Sequence, residues 1–155
     1  MAGLPAPRRS PLSRLTNMPV PHKNKTFATF LASIFGGLGL HRFYLRGRKD
    51  VWAWLHFSTA PVSLLVIFFG ANRPLMFLAG LFLISVLSGF LEALVLGLTS
   101  DEKWDAAYNL NSRQKSASNW PLAVLLVLTM GIGVTALIAV IARSFDLLFT
   151  GGSFG

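Results

Sequence analysis

The stretch PLMFLAGLFLISVLSGFLEALVLGL, residues 74–98, is an apolar run whose only charged residue is Glu92. A helix rises 1.5 Å per residue, so its 25 residues are enough to cross a hydrocarbon core of about 30 Å. Two further apolar runs, residues 51–70 and 120–142, contain 20 and 23 residues. The sequence therefore predicts an all-α, integral membrane helical bundle with three spans.

The composition excludes several other classes of protein. Of the 155 residues, 53% are hydrophobic and 13% are charged, which is more apolar surface than a soluble domain of this length can bury. The absence of cysteine excludes disulfides and cysteine nucleophiles. The three His and six Asp or Glu are scattered, so we predict no metal site, no cofactor and no enzymatic activity.

The net charge of +8 suggests a partner of opposite charge. In a soluble protein this excess would indicate nucleic acid, but in a chain this apolar it favours anionic lipid headgroups at the membrane surface. We expect the lipid bilayer as a partner, with another membrane protein or a second copy as further possibilities, and no nucleic acid.

A shorter apolar run, residues 26–40, has only 15 residues, so the sequence leaves open whether it spans or re-enters. If it spans, the Lys and Arg residues divide seven and seven between the two sides. If it returns, they divide twelve and two, which is the asymmetry that positive-inside orientation requires. This favours a re-entrant or surface helix after a disordered basic tail, residues 1–22, which we expect to be cytoplasmic in a bacterial-type inner membrane.

Glu92 needs a partner, because an unpaired carboxylate within a membrane costs several kcal/mol. The candidates are Arg42, His41 and His56, and we predict a Glu92–Arg42 pair. The pair would be either a clasp that fixes the order of the helices or a site for protons, lipid headgroups or a partner.

Small residues four apart predict the packing faces, because helices in lipid associate by close backbone approach. A loop helix is also predicted, with Ser100 as its cap. Its Trp104 and Tyr108 would lie on the bilayer, unless the segment is an ordinary exposed linker. The predicted packing faces are Ser85, Gly89, Ala93 and Gly97 in the third run; two adjacent stripes, Ala28, Ala32 and Gly36 and then Thr29, Ser33 and Gly37, in the first; and Gly131, Thr135 and Ala139 in the last.

The stretch Gly36-Gly37-Leu38-Gly39-Leu40-His41-Arg42-Phe43-Tyr44-Leu45 is a Gly-rich turn followed by a polar and aromatic motif. This stretch resembles the two-transmembrane (TM-two) domain family. The resemblance covers residues 23–111 and implies a membrane domain, to which residues 120–142 add one helix and residues 143–155 a short flexible tail. Arg46 departs from the family, which usually has Gly there. The motif residues are Gly36, Gly37, Gly39, His41, Arg42, Phe43 and Tyr44, followed by Leu45.

The biochemical role of that family is largely undefined, so function must be inferred from the residues. We expect a non-enzymatic scaffold, accessory subunit or partner-binding module. The alternative is a small oligomeric channel or transporter with Glu92 in its path.

Overall fold

The computed structural model describes residues 21–70 and 73–153, and each regular element within them is helical. Short 3-10 turns at Gly36–Leu38 and Gly47–Lys49 connect some of the helices. In chain order, the helices are α1 (Lys25–Phe35), α2 (Leu40–Arg46), α3 (Val51–Phe69), α4 (Leu75–Leu78), α5 (Gly80–Leu98), α6 (Asp101–Tyr108) and α7 (Trp120–Phe149).

The three helices α3, α5 and α7 are each long and apolar enough to cross a membrane. They contain 19, 19 and 30 residues, which confirms the three predicted spans. The first apolar run forms only a short helix, as its length predicted. The chain is thus an all-α membrane bundle.

Two predicted boundaries change. The run at residues 74–98 is broken at Ala79 into α4 and the spanning helix α5. The helix expected to end at residue 142 continues to Phe149, so a flexible tail from residue 143 is wrong. Arg143 pairs with Asp146 one turn later, and this mutual neutralisation lets the helix continue. Of the predicted disordered tail, residues 1–20 lie outside the described residues.

The helices α1 and α2 form a hairpin that returns to its starting end. Lys23 Nζ donates to the Leu45 carbonyl oxygen, and the backbone N–H of Asn24 donates to the Tyr44 hydroxyl at 2.9 Å. The chain turns at Gly39, whose φ of +69° favours glycine. Residues 26–40 therefore enter the bundle and return, in agreement with the re-entrant alternative.

The depth of the hairpin can be measured against α5. Near its start, Lys25 Nζ donates to the Thr99 carbonyl oxygen, just beyond the end of α5. At its tip, Gly36 contacts the backbone of Gly89. The ten residues between Thr99 and Gly89 correspond to about 15 Å of helix, roughly half of a hydrocarbon core. The hairpin thus reaches about the middle of the bundle.

The central helix α5 packs through its small residues. Its buried residues are Ser85, Gly89, Ala93 and Gly97, which form one face at a spacing of four. In the hairpin, Ala28, Ala32 and Gly36 are buried as well. Small side chains thus bring the hairpin backbone close to α5.

The predicted packing face of α7 is wrong, since Gly131, Thr135 and Ala139 are exposed. The buried face instead contains Leu122 and Thr129. The Thr129 hydroxyl lies 2.8 Å from that of Ser33 in α1, and this hydrogen bond joins the buried face of α7 to α1.

The loop helix α6 begins after Ser100, which accepts from the backbone N–H of Lys103 at 3.5 Å. Its Trp104 does not lie on the bilayer as predicted, because the side chain is fully buried in a cluster with Ala28 and Leu45. The indole Nε1 donates to the Lys23 carbonyl oxygen at 3.1 Å, which satisfies its polar group inside the protein. The helix α6 is therefore fastened to the start of the hairpin.

Candidate functional site

The most concentrated group of ionisable side chains surrounds Glu92 on α5. Helix α2 begins at the tip of the hairpin and places His41 and Arg42 beside the carboxylate. Helix α3 contributes His56, whose Nε2 lies 3.8 Å from Glu92 Oε1. The structure thus brings together the acid and all three of the partners considered from the sequence.

Arg42 binds Glu92 through more than one nitrogen. Its Nε lies 3.0 Å from both Oε1 and Oε2, and Nη2 also donates to Oε1. A guanidinium is always protonated in proteins, so these are charge-assisted hydrogen bonds. Nη1 of Arg42 lies 3.7 Å from Asp50 Oδ2. The Arg42 guanidinium thus neutralises the Glu92 carboxylate at hydrogen-bond distance, which a charge inside a helical bundle requires.

His41 is the second partner of the carboxylate. Its ring is 2% exposed, and Nε2 is hydrogen bonded to Glu92 Oε2. Because the carboxylate can only accept, Nε2 carries the proton in this contact. Within the described part of the chain, Nδ1 of His41 has no hydrogen-bond partner.

His56 connects the site to the hairpin tip through Ser85. The hydroxyl of Ser85 donates to the Gly37 carbonyl oxygen at 2.7 Å, and His56 Nδ1 lies 2.7 Å from the same hydroxyl. A serine has a single hydroxyl proton, so His56 Nδ1 is the donor in this second contact. The buried polar groups of α3, α5 and the tip therefore form one continuous network.

A second polar cluster holds the start of the hairpin and was not predicted. Lys25 is 6% exposed, and its Nζ donates to Asp101 Oδ1 and to the Ser118 hydroxyl, each at 2.9 Å. Bonds from Lys25 and Ser118 lower the pKa of Asp101. A buried lysine is stable when all of its donors are used, as they are here.

A third cluster closes the loop that follows α6. The Ser116 hydroxyl and backbone N–H donate to Asp105 at 2.6 and 2.8 Å, and Asn109 Nδ2 donates at 2.9 Å. Together they lower the pKa of Asp105 to about 2. No sequence pattern indicates this cluster, because Ser116 lies 11 residues from Asp105 across an irregular loop.

The aromatic residues of the motif pack at the edges of the hairpin. Phe43 meets Trp54 of α3 edge to face, with ring centroids 5.2 Å apart, and Tyr44 meets Phe27 of α1 in the same way. They therefore hold α2 against its two neighbours.

Among the described residues, no group of His, Asp or Glu has an arrangement that could hold a metal ion.

These features define a small helical membrane protein with three apolar helices long enough to span and a shorter glycine-containing hairpin. Residues 21–72 match the family model of the TM2 domain, which confirms the resemblance to that family. The hairpin and α3 are the membrane elements within this match. The predicted extension of the domain to residue 111 lies mostly beyond the match and stays a prediction. No curated protein and no solved structure matches the chain.

Proposed function

We propose that this protein is a non-enzymatic membrane scaffold, accessory subunit or partner-binding module. The observation that carries the proposal is the engagement of Glu92 by both Arg42 and His41. A carboxylate in an ion path must be able to release its partner, whereas this one is neutralised by an arginine from a neighbouring element. Its geometry supports a clasp that fixes the hairpin against α5.

We propose that the partner binds at the end of the bundle where the hairpin begins. Twelve of the 14 Lys and Arg residues lie before or within the hairpin, in the turn before α3, or between α5 and α7. By the positive-inside rule, this end faces the cytoplasm, in a bacterial-type inner membrane. The basic turn before α3 and the loop of α6 then form one face available to another membrane protein, and Arg8, Arg9 and Arg14 of the preceding sequence add positive charge.

Co-purification from membranes tests this proposal. We expect the full chain to retain a specific membrane partner, and expect deletion of residues 1–20 or charge reversal by Lys103→Glu to release it. Arg73→Glu is the matched control, because Arg73 is exposed at the opposite end of the bundle. Retention by both variants, or equal loss with the control, would contradict a partner at the hairpin end.

A small oligomeric channel or transporter is the second candidate. It is favoured by the polar network that joins Glu92 to His56 and Ser85 inside the bundle. Proton or ion flux into liposomes that is lost in Glu92→Gln and kept in Glu102→Gln would support this candidate. Glu102 is the matched acid because it is exposed on α6.

A further inference from the structure

A cavity of about 250 Å³ opens between α2 and α5 beneath α6. Unlike the apolar clefts elsewhere in the bundle, this cavity is lined by two guanidinium groups. The lining residues that matter here are Arg42, Arg46, Glu92 and Tyr108 on the polar side, and Leu91 and Val95 on the apolar side.

The charged residues that line the cavity are Arg42, Arg46 and Glu92, so the lining itself is positive. Arg42 and Glu92 neutralise each other, and Arg46 shares Asp50, which lies outside the lining, with Arg42 at ion-pair distance. The Arg46 side chain is 58% exposed, and its nearest carboxylate oxygen, from Asp50, lies 3.8 Å away. Its N–H donors are therefore available to an anion. A guanidinium presents several donors in a geometry that matches phosphate oxygens.

The other wall of the cavity faces lipid. Leu91 and Val95 lie one turn apart on the spanning helix α5 and are 65% and 61% exposed. Glu92 is six residues before Leu98, the last residue of α5, so the cavity lies about 9 Å below the end of that helix. Glu92 therefore marks the inner end of the cavity, within the acyl-chain layer. Arg46 ends the returning helix α2 one turn after Arg42, about 6 Å nearer the membrane surface, and so lies close to the level of the headgroups.

We propose that this cavity binds an anionic phospholipid. The phosphate group accepts hydrogen bonds from Arg46 and from the hydroxyl of Tyr108, and an acyl chain lies along Leu91 and Val95. Inorganic phosphate would lack the apolar contact, and a zwitterionic lipid would lack the net charge that complements Arg46. The inference does not depend on which protein, if any, binds at the hairpin end.

Lipid retention by the purified full chain tests the proposal. The protein is transferred into detergent micelles containing phosphatidylglycerol, and native mass spectrometry and thermal melting measure binding. We expect Arg46→Gln to weaken binding about tenfold, the size typical of one lost charge-assisted contact. Val95→Phe, which narrows the mouth of the cavity and keeps every charge, should weaken binding as well. Both side chains are exposed, so melting without lipid should match the wild type.

Arg48→Gln is the matched control, since it removes the same charge from an exposed residue in the adjoining turn, outside the cavity. It should bind phosphatidylglycerol as the wild type does. Equal weakening in Arg46→Gln and Arg48→Gln would overturn the site in favour of general surface charge. Equal retention of phosphatidylcholine, or equal stabilisation by inorganic phosphate, would overturn the assignment to an anionic phospholipid.

Discussion

Gly36 and Gly89 are in direct backbone contact, and this contact places the tip of the hairpin against the middle of α5. A Cβ atom added to Gly36 would lie 2.5 Å from Gly89 Cα, and one added to Gly89 would lie 2.6 Å from the Cα of Gly36. Neither residue can therefore gain a side chain unless the two backbones move apart. The contact is the membrane counterpart of the small-residue packing that joins helices closely.

Substitution of either glycine by alanine should separate the hairpin from α5. We expect Gly36→Ala or Gly89→Ala to destabilise the protein by about 1–3 kcal/mol, the usual cost of overpacking. Thermal melting in detergent, followed by circular dichroism, measures the change. Gly131→Ala is the matched control, because a Cβ there has no atom within 4 Å. A melting temperature as low in Gly131→Ala as in Gly36→Ala would contradict this role of the contact.

The pairing of Arg42 with Glu92 predicts strong coupling between the two positions. Glu92→Gln and Arg42→Gln should each destabilise the bundle, because each leaves its former partner without compensation. The double variant should lose less than the sum of the two, by about 1–3 kcal/mol. Unfolding in detergent, measured for all four proteins, gives this coupling. Additive losses would show that the pair does not stabilise the bundle.

A second cycle provides the control for that measurement. Lys103→Gln removes a positive charge from an exposed residue of α6 that makes no contact with Glu92. Its effect should add to that of Glu92→Gln within about 0.5 kcal/mol, as expected for independent sites. Coupling of similar size in both cycles would indicate a general effect of charge on the detergent-solubilised protein.

Sequence reasoning succeeded where one physical requirement left few solutions. A carboxylate within an apolar run needs a cation or a hydrogen-bond donor. Short connections could bring only a few such groups to the depth of Glu92, namely His41, Arg42 and His56. The face of α5 was equally constrained, because four small residues repeat at one spacing among large apolar ones. In both cases the number of alternatives was small.

Sequence reasoning failed where tertiary contacts decide which of several similar faces of a helix is buried. Helix α7 is apolar all round, and the face that it buries is the one where Thr129 meets the Ser33 hydroxyl rather than the stripe at Gly131. The hydrogen bonds to Asp101 and Asp105 come from serines that lie 17 and 11 residues further along the chain. Because an irregular loop separates donor from acceptor, no periodic spacing in the sequence could indicate these contacts. Trp104 was misplaced because its hydrogen-bond partner, the Lys23 carbonyl oxygen, lies 81 residues away.

The hydrogen bonds to Asp105 and Asp101 predict that the protein loses stability in acid. Serine and asparagine donors hold the pKa of Asp105 at about 2, below the value near 3.9 of an unfolded chain. A depressed pKa contributes stability that is present above about pH 4 and is lost as the pH falls toward about 2. Asp101, whose pKa is lowered by Lys25 and Ser118, acts in the same direction.

Asp105→Asn should therefore lower the melting temperature at pH 6 and reduce its further fall between pH 4 and pH 2. Melting curves in detergent at several pH values, compared with the wild type, measure this difference. Glu102→Gln is the control, because it removes an exposed acid from the same helix. If Asp105→Asn and the wild type lose stability in parallel over this range, Asp105 does not contribute to the acid sensitivity.

The returning hairpin predicts the sidedness of single cysteines. The chain contains no cysteine, so one introduced thiol can be labelled without interference. Pro21 and Arg48, both exposed, flank the hairpin, and Arg73 is exposed at the far end of α3. In oriented vesicles, an impermeant maleimide should label Pro21→Cys and Arg48→Cys from one side and Arg73→Cys from the other.

Pro21→Cys is the decisive position, because its side differs between the two topologies. A spanning first helix would place it with Arg73, whereas the contact of Lys23 with the Leu45 carbonyl oxygen requires it to lie with Arg48. Thr150→Cys, exposed just beyond the end of α7, is an independent marker of the far side and should label together with Arg73→Cys. Labelling of Pro21→Cys from the side that labels Thr150→Cys would show that the first helix crosses the membrane.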